Sequence, residues 1–205
     1  PELYVTPPWV MRINLDNRPR MIGLALNKNL YAAYDAPSVA LYKVWKGDIH
    51  FTGPVYDNIH GAQPLSRGEA YIVDSLETSP WSIRNSDGSI VSVVPDYKGY
   101  KRSKRITIKG NLHLPSGHVI RIEESPEYVT NSESRPGFER IIRTTQVPEG
   151  KDVLLSVSYE HLGNERDVET NGEWIERSFS NQSFDFVLFK TLFFQLFFHF
   201  FTKSF

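Results

Sequence analysis

Short apolar runs recur every eight to twelve residues along most of this chain, separated by clusters of Gly, Pro, Asn, Asp and Ser, with almost no helical period between them. That punctuation is the pattern of antiparallel strands joined by turns, because turn residues supply the φ angles that a tight reversal needs. Residues Met21 to Leu26 and Leu30 to Tyr34 flank Asn27-Lys28-Asn29 as a hairpin, and a strand through Val39, Leu41 and Trp45 follows. Ser86-Asp87-Gly88 joins Trp81 to Arg84 with Ile90 to Val94 in the same way. The clearest alternation is Ile106, Ile108, Leu112 and Leu114, turned by Pro115-Ser116-Gly117 into His118 to Glu123, which puts Arg121 and Glu123 toward water or a cross-strand partner. Phe138 to Thr145 and Val153 to Tyr159 are expected to form a further pair, and Asn171-Gly172 a two-residue hairpin between Val168 and Trp174.

One antiparallel sheet with a single apolar face would leave that face in water. The expected fold is therefore all-β, an antiparallel β-sandwich or a larger supersandwich-like variant. A chain of 205 residues can bury one substantial core, so residues 1–182 are expected to be a single domain. It opens at Pro1 without a leader, which reads as an internal fragment of a larger protein.

Composition changes abruptly after Gln182: eleven of the thirteen phenylalanines lie from Phe179 onward. Three explanations compete for residues 183–205. A membrane tether needs roughly 20 predominantly apolar residues, whereas Lys190, Gln195 and His199 interrupt this run. The segment could equally be a buried terminal strand, Phe184 to Phe189, followed by a sticky tail, or a non-native, out-of-frame ending.

Charge and cysteine content narrow the chemistry. Lys and Arg number 23 against 24 Asp and Glu, so net charge gives no reason to expect nucleic acid or an anionic membrane surface as a partner. With no cysteine there is no disulfide, thiolate nucleophile or Cys-x-x-Cys-His haem attachment. The six histidines are too scattered for a local metal motif, and no catalytic set or metal site is expected. Adjacent strand residues point to opposite faces, so Glu123 and Glu124 are no facing acid/base pair; with Glu127 they read as a solvated hairpin edge. The basic run Lys98, Lys101, Arg102, Lys104 and Arg105 around Tyr97 and Tyr100 reads as a charged edge strand that discourages aggregation.

Functional-looking side chains are densest between Tyr31 and Pro64. Tyr34, Asp35, Tyr42, Lys43, Trp45, Lys46, His60 and Gln63 are the candidate ligand-binding residues, since rings stack on apolar faces while polar heads direct hydrogen bonds, as a sugar or peptide requires. Rings at period two on strands also serve as packing, which is the competing role for each of them.

Arg18-Pro19-Arg20-Met21, Ala33-Tyr34-Asp35, Ala40-Leu41-Tyr42-Lys43-Val44-Trp45-Lys46-Gly47, Gly53-Pro54-Val55-Tyr56 and His60-Gly61-Ala62-Gln63-Pro64 form a distinctive series. Together with Pro95 to Tyr100 and Leu112 to Gly117, they resemble the N-terminal β-domain of Bacteroidetes-type multidomain c-type cytochromes and sugar-dehydrogenase-associated proteins, over residues 8–160. The resemblance implies a periplasmic or cell-surface location and redox modules of the same polypeptide as partners. It places haem in a module outside this chain, with no cofactor here, and supplies no catalytic residues. The expected role is that of a non-catalytic accessory or carbohydrate-binding domain serving electron transfer indirectly. The alternative is a mutarotase-like or lyase-like sugar-active enzyme using His60, Asp35 and Lys43 or Lys46 as acid and base.

Overall fold

The structure is a computed structural model. It describes residues 7–51, 53, 61–130, 134 and 136–156 in full, and 157–158, 168–170, 173–179, 182–189 and 193–199 as strand backbone. The strands are β1 (Trp9–Leu15), β2 (Arg18–Ala25), β3 (Leu30–Asp35), β4 (Ala40–His50), β5 (Leu65–Val73), β6 (Trp81–Asn85), β7 (Ile90–Ser92) and β8 (Val94–Arg102). They continue as β9 (Ile106–His113), β10 (Val119–Thr130), β11 (Pro136–Thr145), β12 (Lys151–Ser158), β13 (Val168–Thr170), β14 (Glu173–Phe179), β15 (Gln182–Phe189) and β16 (Phe193–His199). Every strand pairing is antiparallel, and no helix occurs among the described residues. The all-β expectation is met, with sandwich-like layering.

Three sheets result, ordered β1-β2-β3-β4-β5, β13-β16-β11-β10-β9-β8 and β14-β15-β12-β6-β7. Strands read from local turn chemistry pair as expected: β2 with β3, β6 with β7, and β9 with β10. Two expected pairings do not form. β11 lies between β10 and β16, while β12 lies between β6 and β15 in another sheet, so Phe138 to Thr145 and Val153 to Ser158 are not partners; Tyr159 lies outside the described residues. Likewise β13 pairs with β16 and β14 with β15, in different sheets, and Asn171-Gly172 lie outside the described residues. In both cases an apolar strand can bury its face in either layer, and alternation alone does not choose between them. In the Phe-rich segment, β15 pairs with β12 and β14, and β16 with β11 and β13. No helix among the described residues is long and apolar enough to cross a membrane.

The main core joins all three sheets, with Ile22, Leu24 and Val44 from the first, Ile108, Ile122 and Phe138 from the second, and Trp81, Ile83 and Val153 from the third. Val39, in the turn before β4, packs against β9 of the second sheet. A Cβ on Gly110 would lie 2.9 Å from both Val39 γ carbons, so only glycine lets β9 approach this turn. Val39 holds φ 49°, a costly value for a β-branched residue, and its carbonyl accepts the Trp81 indole N–H at 3.0 Å.

The opposite face of the first sheet is also apolar. Ile13, Leu15, Met21, Ala33, Tyr42, Trp45 and Ile49 form a second cluster there, with Trp9, Met11 and Tyr31 packed against it. The cover is the sheet's own β4–β5 arm. Gly47 and Gly68 face each other in register, and a Cβ on either would fall 1.9 or 2.0 Å from the opposing backbone carbonyl oxygen. Two side-chain-free residues thus permit a sharp fold of the hairpin. Beyond the fold, Ile49 reaches back across the sheet until its Cδ1 lies 3.7 Å from where a Gly23 Cβ would stand, although β3 separates β4 from β2. Gly68→Ala, at φ 119° and with no room for a methyl group, should detach the arm: we expect a loss of about 2 to 4 kcal/mol by urea unfolding and faster exchange of the Ile49 and Ser66 amides. An unchanged midpoint would contradict the folded-arm geometry.

Candidate functional site

The described candidates separate into a core tyrosine, Tyr34, an arm latch of Tyr42, Lys43 and Trp45, a turn carboxylate, Asp35, the buried Gln63 and the exposed Lys46. Asp16 organises the latch. It ends β1 in a turn where Asp16 and Asn17 both hold positive φ, a conformation that short polar side chains tolerate. Its Oδ1 accepts the Ser66 backbone N–H at 2.8 Å, and its Oδ2 accepts the Ser66 hydroxyl at 2.6 Å and the Tyr42 hydroxyl at 3.2 Å. Its own N–H donates to the Pro64 carbonyl at 3.0 Å. Lys43 Nζ donates to Ser66 Oγ at 2.6 Å and stands 3.6 Å from the Asp16 carboxylate. The Trp45 indole N–H donates to the Asp48 carbonyl at 2.9 Å, fixing the chain just past Gly47. Tyr42, Lys43 and Trp45 therefore fasten the arm to the face it covers.

Burial gives these rings the packing role that competes with ligand binding. Trp45 is 0% exposed and stacks on Tyr31 at 5.5 Å between centroids; Tyr42 is 7% exposed and lies beneath the Arg18 guanidinium at 4.9 Å. Burial, and then the nearby Asp16 carboxylate, raises the Tyr42 pKa above the ordinary tyrosine value. The physical reason is the folded arm: without it, both side chains would line an open sheet face.

Tyr34 lies on the other face, 1% exposed, between the first and second sheets. Its hydroxyl donates to Glu124 Oε1 at 2.5 Å, and Arg140 grips the same carboxylate through Nε at 2.7 Å and a terminal nitrogen at 3.0 Å. Glu124 and Arg140 are 2% and 4% exposed, so this is a fully desolvated, bidentate pair with a phenol attached. The expectation of a solvated edge fails for Glu124. It shares the inward parity of Ile120 and Ile122, whereas Glu123 faces outward and pairs with Lys109 at 3.3 Å. Burial and then the Glu124 charge raise the Tyr34 pKa well above its ordinary value. For Arg140 burial opposes the charge, but Glu124 outweighs it and the pKa is raised.

Among the other candidates, Asp35 is half-buried and accepts from the Ser38 N–H at 2.9 Å and from the Ser38 hydroxyl, closing its own turn. Lys46 is exposed, Gln63 is 8% exposed, and His60 lies outside the described residues. Asp35 and Lys43 thus have separate partners, Ser38 for one and Asp16 with Ser66 for the other. No group of three or more metal-ligating side chains occurs among the described residues. Neither a family model, nor a curated protein, nor a solved structure matches this chain.

Asp16, Ser66, Glu124 and Arg140 are the polar residues that sequence reading missed as organising groups. The parity of Glu124 with its apolar neighbours was a usable signal. The pairing of Asp16 with Ser66, fifty residues away, had none.

Proposed function

We propose that this chain is a non-catalytic accessory domain of an extracytoplasmic protein carrying c-type cytochrome modules, and that it positions those modules and offers a carbohydrate-facing surface. The observation that carries this reading is the use made of the polar side chains between Tyr34 and Ser66. Asp35, Tyr42, Lys43 and Trp45 all spend their polar atoms on the domain's own backbone or on its own side chains. An acid/base centre needs groups aimed at a substrate position. An appended module needs a rigid body, and the latch and the buried Glu124–Arg140 pair provide one. The redox chemistry belongs to haem outside this chain.

Reading the coding region from Ser180 onward, in every frame and past the codon for Phe205, tests the proposal. A Cys-x-x-Cys-His haem-attachment sequence in the same gene is the expected result. Absence of any such sequence, with turnover of a sugar substrate by the purified chain that is lost in Lys46→Ala, would replace the proposal with the enzyme reading.

A further inference from the structure

The second sheet ends in a strongly basic hairpin that the latch and the core do not use. Between Asp96 and Arg105 the chain carries five cations, Lys98, Lys101, Arg102, Lys104 and Arg105, against the single anion Asp96, although the whole protein has a net charge of -1. Lys98 pairs with Asp96, and Arg105 pairs with Glu127 at 2.6 Å. Lys101, Arg102 and Lys104 are exposed and make no ion pair among the described residues. Tyr100 stands among them, 39% exposed.

Backbone geometry fixes this arrangement. The register of β8 shifts between Tyr97 and Gly99, where Gly99 has φ 114° and open space beside it, so the strand is re-aimed just before Tyr100. Tyr100 pairs with Ile108 and Arg102 with Ile106, which puts ring and guanidinium on the same side of the strand, roughly 7 Å apart along it. The turn is held by Ser103, whose N–H donates to the Arg105 carbonyl at 3.0 Å, and it presents Lys104 at the tip. Protecting a sheet edge from another strand takes a proline, a bulge and one or two lysines. Pro95, the Gly99 bulge and Lys98 already do that, which leaves three unpaired cations and an exposed ring unexplained.

We infer that the β8–β9 hairpin, through Tyr100, Arg102 and Lys104, binds an acidic polysaccharide, one bearing carboxylates or sulfates on its sugar rings. This rests on the carbohydrate-facing part of the proposed function and moves that surface away from Tyr42 and Trp45. The phenol ring covers the apolar face of a pyranose, and Arg102 and Lys104 meet the acid groups.

Calorimetric titration of the full chain with polygalacturonate, with dextran and with duplex DNA tests the inference. Polygalacturonate should bind, with an affinity falling about tenfold between 50 and 200 mM salt, as expected when some two cations are engaged. Replacing Arg102 and Lys104 together by Gln should abolish that binding while leaving the thermal midpoint in place. Tyr100→Ala should weaken it by about fivefold with an unchanged salt slope. Equal binding of DNA and polygalacturonate, or indifference to Tyr100→Ala, would overturn the inference in favour of a generic polyanion surface. Dextran binding as tightly as polygalacturonate would overturn the acidic specificity while supporting a carbohydrate-facing domain. Failure of both polysaccharides would remove the sugar surface and leave the accessory role to be judged by the coding region.

Discussion

Trp45→Ala should cost this domain about 3 to 5 kcal/mol of its stability in urea. The ring has no solvent exposure, stacks on Tyr31, and holds the Asp48 carbonyl that follows the Gly47 fold. Removing it opens a cavity beneath the arm and frees the arm's first anchor together. A domain of this kind has on the order of 5 to 15 kcal/mol in total, so the loss is a large share. Trp45→Phe keeps a ring to stack on Tyr31 but loses the pyrrole half of the indole with its N–H, and a smaller loss, about 1 to 2 kcal/mol, is expected. If Trp45→Ala instead kept a wild-type midpoint and lost only sugar binding, the residue would belong to an open ligand surface after all.

Arg140→Leu should be comparably damaging, about 3 to 5 kcal/mol, because it strands the Glu124 carboxylate inside the core with only Tyr34 beside it. The attraction within the pair largely offsets its own desolvation, so the prediction for joint removal is different. The triple replacement Tyr34→Phe, Glu124→Met and Arg140→Leu should lie much nearer wild type than the single variant. Equal damage in single and triple variants would mean that the cluster acts through shape and not through charge.

The same cluster sets an alkaline limit. Since the folded state raises the Tyr34 pKa, it keeps a proton that an unfolded tyrosine releases near about pH 10. Stability from this group is therefore complete below that pH and falls as pH rises toward the folded value. Tyr34→Phe should flatten the decline in unfolding free energy above about pH 10. A residual slope should persist from Tyr31, Tyr42, Tyr71 and Tyr97, whose pKa values burial also raises. An identical alkaline profile in Tyr34→Phe would place the phenol outside the buried network.

What could be read from sequence was what is local. Asn27-Lys28-Asn29, Ser86-Asp87-Gly88 and Pro115-Ser116-Gly117 each join strands that do pair, because turn chemistry acts over a few residues. The assignment of β11 and β12 to different sheets was not accessible, since Ile141, Ile142, Val153 and Leu155 would satisfy either layer equally. Trp45 and Tyr42 looked like a ligand surface because their covering is a folded arm, decided by the facing of Gly47 with Gly68 and by Asp16 meeting Ser66. A glycine inside a strand is a hint of close backbone approach, but a single sequence does not say what approaches. Glu124 is legible in the alternation of its strand: it continues the inward series Ile120, Ile122, and its partner Arg140 sits two strand positions from the apolar Ile142 on the same face of β11.

The central claim is that the aromatic and polar side chains around Trp45 serve the domain's own structure. Indole N–H exchange, followed residue by residue in an isotope-labelled chain, tests it most directly. The Trp45 Nε1–H should exchange only through arm opening or unfolding, as slowly as the Trp81 indole bound to Val39, and should not shift when oligosaccharide is added. Exchange at the rate of an exposed indole, or a shift of that resonance on adding sugar, would contradict the account and restore Trp45 as a binding residue.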